Sequence, residues 1–314
     1  MHQLADLFRR NKYRAAAASG GAALVLIGVA LGVAAQAGPS GASLEGPVLR
    51  VCSDPDNMPF SNADGQGFEN RLAELVAGEL GKRVSYTWAT QDDNFIHGTL
   101  KAGRCDVLVG VPQELGSAET TRPYYWSSYV LISRSDRHLG IDSLKDHRLR
   151  KMKIAVPSFA GNRLFSPPAQ SLAAAGMLDN LVGFPIDGSA GGVDPKQRII
   201  DAVANGDIDV AALWGPQAGY FVQRSPVPLA MNLIGDTDEF SARKTHFELH
   251  SLQYEIAMGV RNGDDKLRDA LDAVIARKEA EIDALLRRYG VPLIEPARVA
   301  AATADGSSDW GGRE

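Results

Sequence analysis

The amino-acid sequence predicts an exported α/β protein of two similarly built lobes, joined by a hinge with a cleft between them. Three observations carry that prediction. The first 37 residues have the composition of an export signal, a helix–glycine–strand unit occurs twice, and short apolar runs recur without polar alternation.

Arg9, Arg10, Lys12 and Arg14 form a basic start, residues 15–35 carry no charge, and Ala35-Gln36-Ala37 is a small-x-small cleavage box. Charge, apolar stretch and cleavage box in that order predict a signal peptide over 1–37, cut after Ala37. The alternative is a retained anchor, because the apolar stretch is almost long enough to span a bilayer. The whole chain has a net charge of −5 and no arginine-rich run. A nucleic-acid partner is therefore not expected.

Two cysteines, Cys52 and Cys105, complete the composition. In an oxidising compartment an even pair is a disulfide candidate. Both fall on strands expected to be neighbours. The alternative is two buried thiols acting as small apolar residues.

The repeat joins residues 94–107, NFIHGTLKAGRCDV, to residues 197–210, QRIIDAVANGDIDV. In each, apolar residues at helical spacing (Ile96 and Leu100; Ile199 and Val203) lead to a glycine, Gly103 or Gly206. Glycine there suits the left-handed residue that ends a helix. Asp-Val and a short apolar run follow, VLVGV or VAALW, as in strands buried on both faces of a parallel sheet.

The other elements fit between these. Residues 48–52 form a strand, followed by a loop rich in Asp, Pro and Asn. Residues 68–80 form an amphipathic helix with Phe68, Leu72, Leu75, Val76 and Leu80 inward, stopped by Gly81. Strands follow at 83–88 and 106–111, and residues 124–133 run extended out of the first lobe. The second lobe opens at 153–156 and continues with a helix to 175, a strand at 181–184, the repeated unit, and a helix at 216–223. A strand at 254–260 returns to the first lobe, and a long helix over 264–289 stops at Gly290. The predicted organisation is a linker at 38–45, lobe 1 at 46–130 and 245–295, lobe 2 at 131–244, and a disordered tail at 296–314.

At this level of detail the segments resemble a known family. VLRVCSDPDNMPFSN with GFENRLAELVAGELG, CDVLVGVP, TRPYYWSSYVL and IDVAALWGPQAGYF resemble, in order, the type II periplasmic solute-binding proteins. The resemblance covers residues 46–296. More closely, CSDPDNMPFSN…GFENRLAEL, TRPYYWSSYV and ALWGPQAGY resemble the MxaJ and XoxJ proteins encoded beside quinoprotein methanol dehydrogenases. That resemblance implies a periplasmic, monomeric protein that assists a PQQ-dependent methanol or alcohol dehydrogenase of the XoxF or MxaF type, containing a lanthanide or calcium. The dehydrogenase's cytochrome c is a second candidate partner. The chain itself is expected to hold no cofactor and no metal.

Two departures from the wider family bear on ligands. Its amino-acid binders carry an arginine about eight residues before Pro-Tyr; here Gln113-Glu114-Leu115-Gly116 offers none, and Arg122 stands against Pro123. Such an arginine holds the ligand carboxylate through a bidentate fork. Those binders also carry an acid at the end of the later strand, where this chain has Leu213-Trp214-Gly215. A zwitterion would then desolvate without compensating charge, at a cost of roughly several kcal/mol.

What the sequence offers instead is aromatic. Trp88, Tyr124, Tyr125, Trp126 and Trp214 fall near strand ends or the crossover, where open α/β sheets place ligands. With Asp54, Asn57, Phe60, Arg122 and Gln217 they form the expected set of ligand or partner contacts, against the plainer reading of core or hinge packing. Asp54-Pro55-Asp56-Asn57 with Asp64 and Glu69 reads as turn chemistry and a helix start rather than a cation site. His246, Glu248 and His250 read as a solvated edge, Ser189 in DGSAGG as part of a surface loop, and Trp310 as tail. The chain is expected not to be an enzyme: Asp54, Asp56 and Arg122 are the sole acid–base candidates. The alternative function is a transport receptor for a weakly polar solute or for the quinone cofactor.

Overall fold

The computed structural model describes residues 44–113, 115–158, 166–186, 194–235 and 251–295. The signal segment, HFELH, Ser189, Glu114 and the tail with Trp310 lie outside them.

The strands form where apolar residues run unbroken. β1 (Val48–Ser53) leads through two short paired strands, β2 (Asp56–Asn57) and β3 (Ser61–Asn62), into α1 (Phe68–Glu79). Phe68, Leu72, Ala73, Val76 and Ala77 bury one stripe of α1, while Leu75 and Leu80 pack at its edge. β4 (Arg83–Trp88), β5 (Val107–Pro112) and the short β6 (Glu119–Thr120) follow. β7 (Tyr125–Arg134) then carries the chain into β8 (Ile154–Ser158), α2 (Pro167–Ala174), β9 (Leu181–Pro185), α3 (Pro195–Asn205), β10 (Val210–Trp214), α4 (Gly215–Val222) and β11 (Leu229–Leu233). β12 (Gln253–Val260) and α5 (Asp265–Arg288) complete the described chain.

The sheet runs β4-β1-β5-β12-β7-β10-β8-β9, with β11 beside β7 and β6 beside β12. Its two halves are wired alike. In one, parallel β4, β1 and β5 are closed by antiparallel β12; in the other, parallel β9, β8 and β10 are closed by antiparallel β7. β7 belongs to both halves, pairing with β12 over residues 125–128 and with β10 over residues 129–132. The halves have separate cores. Phe68, Leu72, Val109, Met258 and Leu271 centre one, while Ile154, Val156 and Leu172 and, on the other face, Ile199, Val203 and Leu213 centre the other.

The sequence repeat sits at the same place in each half, before β5 and before β10. Both glycines are left-handed, Gly103 at φ 71° and Gly206 at φ 83°. The preceding helices differ: α3 is a regular α-helix, whereas residues His97–Lys101 are wound as a π-helix. The Asp of each Asp-Val does one job twice. Asp106 accepts the backbone N–H of Arg50 on β1 at 3.3 Å, and Asp209 accepts that of Lys153 before β8 at 2.8 Å. Burial works to raise the Asp106 carboxyl, but the Arg50 and Arg261 guanidiniums outweigh it and hold it below its ordinary value.

α4 touches the turn after α5 backbone to backbone. A Cβ on Gly219 would lie 1.8 Å from the carbonyl oxygen of Gly290, so no side chain fits there. Beside it Tyr220 stacks on Tyr289 at 6.1 Å, and the Ser127 hydroxyl donates to the Pro292 carbonyl at 2.6 Å.

Candidate functional site

Cys52 and Cys105 are joined by a disulfide, with Cα atoms 5.4 Å apart. This bond fixes the wall of a cavity at the C-terminal ends of β1 and β5, about 40 Å³ in volume. That is room for a few waters or a small polar group. Cys52, Ser53, Asp54, Asn57, Glu69 and Gln91 supply its polar wall; Phe95, Ile96, Leu108 and Val111 supply the apolar one.

The loop after β1 is held by its own side chains. Asp54 accepts the backbone N–H of Asp56 at 2.9 Å and of Gln91 at 2.7 Å. The Ser61 hydroxyl donates to the Asp54 carbonyl at 2.7 Å, and the Asn57 amide donates to Gln91 Oε1 at 2.8 Å. Asp54 thus spends its carboxylate on turn geometry, as the sequence suggests. From the other half, Lys196 in the first turn of α3 donates to Asn57 Oδ1 at 3.3 Å and lies 3.6 Å from Asp194.

Glu69 is the residue the sequence reading left aside. Its carboxyl lies over Gly110 on β5, where a Cβ would come within 2.1 Å of Oε1. The residue lines the cavity. Among the described residues its carboxyl makes no hydrogen bond or ion pair, and burial pushes its pKa up to about 8. The group therefore keeps its proton to higher pH than an ordinary carboxyl, and in that form it can donate as well as accept. The signal was available: a glycine inside a buried strand marks a close approach, and here a carboxyl fills the space.

The expected contacts distribute over several places. Asp54 and Asn57 line the cavity just described. Phe60 packs on Phe68 at 5.2 Å, and Trp88 stacks on Tyr86 at 4.4 Å. Trp214 meets Tyr129 at 5.3 Å and Tyr254 at 5.7 Å, at the crossing of the halves. Gln217 lies half-buried in the first turn of α4. Phe60, Trp88, Trp214 and Gln217 are not in the lining of this cavity or the next.

Arg122, Tyr124, Tyr125 and Trp126 come together elsewhere. They line a second cavity of about 330 Å³ between the start of β7, α5 and residues 293–295. In β7, Tyr125 and Trp126 pair with Ile256 and Glu255 of β12, and the Ile294 N–H donates to the Trp126 carbonyl at 2.9 Å to close one side. The two cavities share no residue, and Asp54 and Arg122 are consequently not an acid–base pair. Among the described residues, no cluster of His, Cys, Asp and Glu could hold a metal ion. Among the described residues no arginine or lysine lines the first cavity; Lys196 approaches it through its hydrogen bond to Asn57.

Comparison with known proteins places this geometry. The description of the bacterial extracellular solute-binding proteins, family 3, matches residues 49–292. The MoxJ protein of Paracoccus denitrificans is 31% identical over 271 residues, covering 84% of this chain and 95% of that protein. The crystal structure of the periplasmic binding protein XoxJ from Methylobacterium extorquens AM1 superposes with a TM-score of 0.62 at 33% identity, covering 79% of this chain and 99% of that one. That of MxaJ from Methlophaga aminisulfidivorans MPT gives a TM-score of 0.65 at 25% identity, covering 78% and 100%.

Proposed function

Because the chain belongs to family 3 of the bacterial extracellular solute-binding proteins, in the MxaJ/XoxJ group, we propose that it is a periplasmic accessory protein of methanol-type oxidation. It binds a PQQ-dependent methanol or alcohol dehydrogenase and assists that enzyme's activation or maturation; it performs no chemistry of its own. The observation that carries this reading is the kinship with MoxJ, XoxJ and MxaJ over nearly the whole described chain. The first cavity supports it: among the described residues its lining holds no arginine or lysine to take an amino-acid ligand's carboxylate.

The test is a pull-down from periplasm with the tagged mature chain, followed by mass spectrometry. Recovery of a quinoprotein alcohol dehydrogenase is the expected result. Its absence, whether calcium or a lanthanide is supplied, would sink the reading.

One observation favours a transport receptor as the second reading. The first cavity lies at strand ends, where open α/β sheets bind ligands, and its Glu69 carboxyl is unpartnered among the described residues. A weakly polar solute or the quinone that raised the Tm of the wild type, but not of Glu69→Gln, would favour it.

A further inference from the structure

Lys196 stands where a lysine is least expected. It is 9% exposed, whereas lysines almost never lose their water unless they are paired. It also lies in the first turn of α3, where the positive end of the helix dipole disfavours a cation. Asp194 offsets part of this from 3.6 Å, but its carboxylate also caps the helix, accepting the Lys196 backbone N–H at 2.8 Å. Among the described residues, the acceptor that takes a hydrogen bond from the ammonium is Asn57 Oδ1, at 3.3 Å, in the other half of the sheet.

The receiving side is held in place beforehand. The Asn57 amide donates to Gln91 Oε1 at 2.8 Å, which leaves its oxygen for Lys196. The Gln91 backbone N–H is in turn held by the Asp54 carboxylate at 2.7 Å. A polar chain therefore runs from Asp54 through Gln91, Asn57 and Lys196 to Asp194, with a carboxylate at each end and the cation between. Asp54, Asn57 and Gln91 line the first cavity, so the crossing stands at its wall. The halves that it joins share β7, which passes from one to the other between residues 128 and 129.

We propose that Lys196 is a built-in clasp, holding the two halves together at the first cavity with no ligand bound. In hinged proteins of two lobes, a ligand ordinarily supplies the contacts that favour the closed form. Here a side chain of one half reaches the cavity wall of the other and supplies them. A solute that parts the halves must displace the ammonium from Asn57, and so must itself satisfy or expose that cation. The clasp is a property of the chain alone and depends on neither function proposed above.

The experiment measures the distance between the halves in the whole mature chain, by pulsed electron double resonance. Spin labels go on Arg71→Cys in α1 and Leu178→Cys after α2, both exposed. The native cysteines are joined to each other and take no label. The labelled chain without further change is expected to give one dominant distance. Lys196→Met keeps the stem and removes the charge; it should add a second distance and raise that distance's share about ten-fold. Asn57→Ala removes the acceptor without touching α3 and should do the same. Combining the two should add little beyond either alone, as for two ends of one contact. Lys151→Met, at an exposed lysine of the same half, should leave the distribution unchanged.

Circular dichroism and Tm check that each variant is folded, and if Lys196→Met is not, Asn57→Ala decides. An unchanged distribution in the folded variants would overturn the clasp. So would an otherwise unaltered chain already spread over both distances.

Discussion

The two halves of the sheet share one wiring diagram and differ in what fills it. At corresponding positions of the repeat, one half has Cys105 and Gly110 where the other has Ile208 and Leu213. Ile208 and Leu213 are buried and close the core of their half. Cys105 is instead tied to Cys52, and Gly110 leaves space into which the Glu69 carboxyl reaches. Connection and strand order are thus set by features both halves keep: the left-handed glycine, the Asp that holds the next strand, the apolar run. A polar cavity arises from substitutions at positions the wiring does not use.

That contrast can be broken in stages. The largest effect should come from the disulfide, which only one half possesses. Cys52→Ser with Cys105→Ser frees a loop spanning 53 positions and should lower unfolding free energy by about 4 kcal/mol in urea titrations. A loss below about 1 kcal/mol would mean that the bond adds little to a wall already held by packing.

Next come the paired positions. Leu213→Ala removes a fully buried side chain and should cost about 3 kcal/mol. Gly110→Ala presses only on the end of a movable carboxyl and should cost about 1 kcal/mol. Equal losses would show that Gly110 is as tightly packed as its counterpart.

A third measurement follows pH. Glu69 is raised from an ordinary 4.5 to about 8, so between those values the folded chain holds a proton that the unfolded chain has released. Stability should therefore fall as pH rises through that window, by about 3 kcal/mol at pH 7, and Glu69→Gln should flatten the slope. An unchanged profile would place the carboxyl in contact with solvent.

The smallest difference is between the two aspartates. Asp106 is buried between two arginines, whereas Asp209 is partly exposed beside Arg137. Asp106→Asn should cost about 1 kcal/mol more than Asp209→Asn, as thermal or urea unfolding would show.

How far the sequence could be read follows from the range of the interactions involved. The strands, α1, α3 and α5, and the glycines that end the repeated units were legible, because each is written in a few neighbouring residues. The disulfide was legible as one of two readings. The position of Tyr124, Tyr125 and Trp126 was not: near a strand end they suggested the cleft, but α5, some 150 positions later, encloses them. Glu69 was hidden for another reason. An acidic residue in the first turn of a helix is ordinarily a solvated cap residue, and only the strand crossing beneath it, at Gly110, makes it buried. Lys196 at Asn57 joins residues 139 positions apart and leaves no local trace.

The glycine contact between α4 and the turn after α5 has a consequence for leverage. On that side the halves meet backbone against backbone, with Gly219 on Gly290, Tyr220 on Tyr289 and Ser127 on Pro292, so any separation there forfeits many contacts at once. Beside the first cavity, among the described residues, a hydrogen bond from Lys196 to Asn57 joins the halves. A rotation that keeps the glycines together and parts the lysine is the inexpensive one. A methyl group on either glycine would meet the carbonyl oxygen of the other and prise that side apart first.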